Sequence, residues 1–139
     1  MEESMIFTRS LFLVLLVVLS SLALSAGVAP ESEFTGAYTL GNPSAAGHDV
    51  QISISFSIAN NTSSGVNNAV LALHEPQAAR ITYGEITGIS IGAGGKVQVT
   101  GSFKVPRGLY EAWQKGSSPA ASISYSDADG NATRAFIQF

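Results

Sequence analysis

From Val50 to Ile58 apolar and polar residues alternate without a fault: Val50, Ile52, Ile54, Phe56 and Ile58 fall on one face, Gln51, Ser53, Ser55 and Ser57 on the other. A period of two belongs to a β-strand with one face in a core and one in water. A helix would scatter the same residues around its circumference, because its period is about 3.6. One such strand cannot hide its apolar face alone, so it demands a layer to pack against.

The rest of the chain supplies that layer. Asn60-Asn61-Thr62-Ser63-Ser64-Gly65 is a polar turn, and Asn68 to His74 reads as the next strand, ended by Glu75-Pro76 because proline cannot donate to a sheet ladder. Arg80 to Tyr83 and Glu85 to Ile91 read either as two short strands kinked at Gly84 and Gly88 or as one bulged strand. After the turn Gly92-Ala93-Gly94-Gly95, alternation resumes through Val97, Val99, Gly101, Phe103 and Val105 until Pro106. Leu109, Tyr110 and Trp113 then recur at helical spacing between Pro106 and Gly116, which predicts one or two turns of helix. Ala121, Ile123 and Tyr125 form another strand, Asp127-Ala128-Asp129-Gly130-Asn131 a hairpin turn, and Ala132 to Phe139 a last strand. The sum is about seven short strands and one helical turn, an all-β antiparallel two-sheet sandwich. With 139 residues, the chain is one domain's length, and 45% apolar against 12% charged residues excludes a disordered polymer.

The N-terminus reads as an address. Leu11 to Leu24 is an apolar run broken only by Ser20 and Ser21. It is shorter than the roughly 20 residues of a membrane span but fits the middle of a secretory signal peptide. Small residues follow, and cleavage between 25 and 29 is expected: after Ser25 with Ala23 at the third position back, or after Ala29 with Gly27 there. Glu2 and Glu3 against Arg9 depart from a basic n-region, and a start at Met5 would remove both. The rival is an uncleaved anchor reaching Val28, the one route by which this chain would meet a membrane. The organisation expected is residues 1–27 as signal or anchor, 28–35 as linker and 36–139 as the sandwich, with the product exported to the periplasm, the cell surface or the medium.

The strand, Asn-rich turn and strand of Val50 to Leu73, the glycine-rich turn before Val97 and the closing Ser124-Tyr125-Ser126-Asp127-Ala128-Asp129-Gly130 hairpin together resemble bacterial immunoglobulin-like and fibronectin type III-like envelope modules, the cell-adhesion-related kind included. The resemblance is one of pattern over most of the chain after the leader. The paired cysteines of antibody domains are missing, and the single tryptophan lies on the helical turn rather than an early strand. It implies an immunoglobulin-like sandwich with a display or binding role, and it carries over no functional residue.

Chemistry is sparse. A net charge of −3 leaves no basic footprint for nucleic acid, and the absence of cysteine excludes disulfides and thiolate catalysis. Gly88-Ile89-Ser90-Ile91-Gly92 matches the G-x-S-x-G of serine hydrolases, but that motif needs a strand-to-helix elbow, and here a strand follows the turn. His48 beside Asp49 and His74 beside Glu75 are read as solvated strand-end histidines, since neighbours on a strand point to opposite faces and chelate poorly. Asp127 and Asp129 are the weak metal candidates, joined by Asp49 or Glu111 across loops; an Asp-Gly turn explains them without an ion. Asn60, Asn61 and Asn131 head N-glycosylation sequons. Tyr110 and Trp113 share one side of the helical turn, where they either plug the core or, exposed beside Arg107 and Lys115, form a patch for a protein or a glycan. The function expected is an exported, non-catalytic binding, adhesion or scaffolding module with no cofactor. The alternative is a carbohydrate-binding accessory protein using Tyr110 and Trp113. The weakly charged run at residues 132–139 is a candidate edge strand for a partner sheet.

Overall fold

All five apolar residues of the alternating run are 0–2% exposed, and the strand that carries them is the centre of one sheet. Sliding its register by one residue would turn five large side chains into water, each worth about 1.5–3 kcal/mol of burial, so the pattern alone pins the register. A computed structural model describes residues 32–139. The signal, anchor and cleavage expectations fall on residues outside these.

The first sheet is built on β3 (Asp49–Asn60), flanked on one side by β6 (Lys96–Pro106). Along its other side lie β1 (Phe34–Leu40), paired with Ile54 to Asn60, and the short β2 (Ser44–Ala46), paired with Asp49 to Gln51. The second sheet runs β5 (Ala78–Ile91), β4 (Val66–Glu75), β7 (Ala120–Ser126), β8 (Ala132–Phe136). Every pairing of named strands is antiparallel. The two-sheet sandwich is thus as the alternation requires. Its core joins the β3 residues to Phe103, Val105, Leu71, Leu73, Ala121, Ile123, Ile89 and Ile91. Phe34, fully buried, already pairs with Asn60. A Cβ on Gly36 would press on the Ser57 carbonyl oxygen, closer than real Cβ atoms approach, so β1 lies against β3 only because residue 36 is glycine.

Of the two readings of residues 80–91, the bulged strand is the one adopted. Asn68 (φ 51) and Gly88 (φ 72) sit at successive register shifts between β4 and β5. A larger shift falls between the pairs His74↔Thr82 and Glu75↔Ala78, leaving residues 79–81 without partners. Such bulges re-aim side chains and break the regular ladder.

The final run is not one strand. β8 stops at Phe136; the Ile137 N–H still donates to Ala121 O, and then the chain crosses to the other sheet. There the Gln138 N–H donates to Phe34 O and the Gly36 N–H to Gln138 O, a parallel bridge onto β1. Phe139 packs on Tyr38 and Phe56. The expected edge at residues 132–139 is therefore corrected to Ala132–Phe136, because Ile137 is held by Ala121 while Gln138 and Phe139 already have partners in the first sheet.

Candidate functional site

The helical turn is α1 (Arg107–Gln114). Its C-terminus closes as a Schellman motif: the Ser117 N–H donates to Ala112 O, the Gly116 N–H to Trp113 O, and Gly116 holds φ 108. Trp113 is only 3% exposed and joins the core. Its indole N–H is buried without a hydrogen-bond partner, so the ring is held by packing alone. Tyr110 is half-buried and its hydroxyl accepts from Gln114 Nε2 at 2.9 Å; Arg107 and Lys115 are exposed. Of the two alternatives for Tyr110 and Trp113, the plug is the one adopted: Trp113 fills the core and offers no face to a ligand beside Arg107 and Lys115.

Asp127 organises its turn. Its Oδ1 accepts from the N–H groups of Asp129 and Asn131 at 3.0 and 2.9 Å, and the Gly130 N–H donates to the Asp127 carbonyl. Among the described residues no group of three His, Asp or Glu side chains converges to hold a metal ion. Asn60 is buried, with its Nδ2 donating to the carbonyls of Ser64, Ile91 and Gly92, which removes it as a glycan acceptor. Asn61 and Asn131 are exposed.

His48 lies exposed on the β2–β3 turn. His74 contradicts the expectation of a solvated histidine: it is 2% exposed, with Nδ1 2.6 Å from Ala79 O and Nε2 2.6 Å from the fully buried Ser122 Oγ. The residues left over in the Ala79 bulge, the neighbouring β7 and the ring of Phe136 at 5.4 Å surround it. Next to it, the Tyr83 hydroxyl donates to Glu75, a bond that together with burial pushes the phenol up to about 12. Ser90 is exposed on β5 near the Val66–Ala69 end of β4, whereas His74 pairs at Thr82 toward the other end. His48 belongs to the other sheet, so the G-x-S-x-G serine and a histidine base are not brought together.

What the sequence left unmarked is at the end of the sandwich where the β3–β4 loop meets the β7–β8 hairpin. Two clefts of about 570 Å³ each adjoin there, sharing Asn67, Tyr125 and Ser126 as their common wall. One is completed by Asn68, Ser124, Thr133 and Arg134. The other is completed by Glu33, Thr62, Ser64, Asp127 and Asp129. Tyr125 is half-buried, edge-on to Phe34 at 5.5 Å, and its hydroxyl lies 3.5 Å from Glu33 Oε2, at the far limit of a hydrogen bond. Burial, then the nearby charges of Glu33 and Asp127, raise its pKa. The bulge that gives Asn68 its positive φ is what brings two consecutive asparagines to this wall; asparagine tolerates that backbone better than most side chains. Only the Asn-rich and Asp-rich turns hinted at the place, since the register that joins them spans half the chain.

No protein-family model matches the chain, and no curated protein sequence matches it. Solved structures to which it is similar include a Northeast Structural Genomics Consortium target, at 11% identity over 76% of this chain and 80% of that one, TM-score 0.41. They also include the GH20 exo-β-N-acetylglucosaminidase of Vibrio harveyi in complex with N-acetylglucosamine, at 17% identity over 77% of this chain, TM-score 0.40. An inactive mutant of that enzyme matches at 16% identity over 77% of this chain, TM-score 0.39. The chain spans 18% of each glycosidase chain. Likenesses of this degree bear on neither activity nor ligand.

Proposed function

We propose that this chain is an exported, non-catalytic binding module of the cell envelope, immunoglobulin-like or fibronectin type III-like in kind, that engages its partner at one loop end of the sandwich. The observation that carries the reading is the pair of clefts divided by Tyr125, where polar side chains from β4, β7, β8, the residue before β1 and two loops meet on a packed scaffold. Loops held by a packed core are where binding surfaces commonly lie. Export is supported by the apolar run Leu11 to Leu24 and the small residues after it.

The test is to express the full chain, fractionate the cells and read the N-terminus of the product by mass spectrometry. A chain outside the cytoplasm that begins between residues 26 and 30 is expected. A full-length chain retained in the cytoplasm would refute export, and turnover of a substrate lost on a single side-chain change would refute the non-catalytic role.

A further inference from the structure

We infer that the paired clefts bind a neutral oligosaccharide laid across Tyr125, one sugar unit or more on either side; this rests on the binding-module reading above. Each cleft is of the size of a small-molecule site, and few of its lining side chains are aliphatic. Most of the lining residues carry amides, hydroxyls or charged groups, which provides donors and acceptors together, while their carbon atoms and Tyr125 leave apolar surface between them. Such a lining suits a ligand whose own surface is a ring of hydroxyl groups.

The charges disfavour a ligand of uniform sign. Glu33, Asp127 and Asp129 line one cleft with no basic side chain among them, while Arg134 lines the other, where no acid does. A ligand of either sign that spans both meets like charge on one side, whereas a neutral chain meets hydrogen-bonding partners on both. A peptide side chain seeking an apolar anchor finds only Val66, Ala128, Ala132 and the one ring. That ring, Tyr125, has an apolar body and a polar tip, the combination that packs against the C–H face of a pyranose while bonding its hydroxyls. Because Asn67, Tyr125 and Ser126 belong to both clefts, a ligand of two or more units is held at the divide and a monosaccharide is held on one side only.

The experiment applies the full chain, recovered from whichever fraction holds it, to an array of neutral, acidic and basic oligosaccharides and of peptides. Asn67→Ala, Tyr125→Ala and the remote surface control Lys104→Ala run beside it. Retention of neutral oligosaccharides is expected, weaker by about tenfold for the corresponding monosaccharides, cut by about tenfold or more in Asn67→Ala and Tyr125→Ala and unchanged in Lys104→Ala. Tyr125 contacts the core residue Phe34, so circular dichroism accompanies each variant; should Tyr125→Ala not fold, the exposed Asn67 carries the test. An array with no neutral glycan retained, or retention that Asn67→Ala leaves intact, overturns the inference. Retention of peptides or charged glycans alone, lost in Asn67→Ala, overturns the ligand class and leaves the binding module standing. Binding that never responds to Asn67→Ala or to Tyr125→Ala overturns both.

Discussion

His74 Nε2 and Ser122 Oγ lie 2.6 Å apart, both residues buried, on adjacent strands of the second sheet. The Ala79 carbonyl can only accept, so Nδ1 carries a proton, and in the neutral ring Nε2 is left to accept the Ser122 hydroxyl. The pair satisfies two buried polar groups that would otherwise be orphaned, and that makes it structural.

Ser122→Ala removes the only donor to Nε2. A buried acceptor left unmade costs about 1–3 kcal/mol. Urea denaturation should show the midpoint lowered with the slope unchanged, and an unaltered midpoint would mean that Nε2 finds another partner.

Trp113 reports on the plug. Its fluorescence should be blue-shifted and shielded from acrylamide, because the ring is buried. Trp113→Ala should cost about 3–5 kcal/mol, as large-to-small core changes do. Trp113→Phe should cost less, since it also removes an indole N–H that has no partner. Red-shifted, freely quenched emission would contradict the packing of α1.

The Tyr83–Glu75 bond sets an alkaline limit. With the phenol raised from 10.0 to about 12 in the fold, the folded state prefers the protonated form. Its contribution is complete below pH 10, falls as the pH rises through the interval to about 12, and is gone above it. Thermal midpoints followed against pH, with tyrosinate absorbance alongside, should show this decline flattened in Tyr83→Phe.

Deleting residues 137–139 should open the sandwich at β1. Ile137 is a buried core residue, and losing its burial alone costs about 1.5–3 kcal/mol. The bridge from Gln138 to Phe34 and Gly36 and the Phe139 contacts go with it. Hydrogen exchange should become faster along β1 than along β4; equal protection would show that the crossing adds nothing.

Much of the described fold could be read off directly. Val50 to Ile58 alternates because each side chain's polarity is a local property, and Glu75-Pro76, Pro106 and Gly116 stop their elements by backbone chemistry that needs no partner. By itself the sequence therefore determined most of the strands, the helical turn and the two-sheet architecture, but not the short β2 or the end of β8. Tertiary structure decided what lies between elements. His74 is buried because a bulge in β5 and Ser122, 48 positions away, reach it; nothing near His74 in the chain encodes that register. Ala132 to Phe139 reads as one continuous strand, yet it breaks at Phe136 because Ile137 and Phe139 find core positions and Gln138 the free edge of β1. Trp113 could face either way on a short helix, and the space at the end of the sandwich settled it. The clefts at Tyr125 follow the same rule: polarity along a strand is local, but a concave surface exists only where segments distant in sequence are packed side by side.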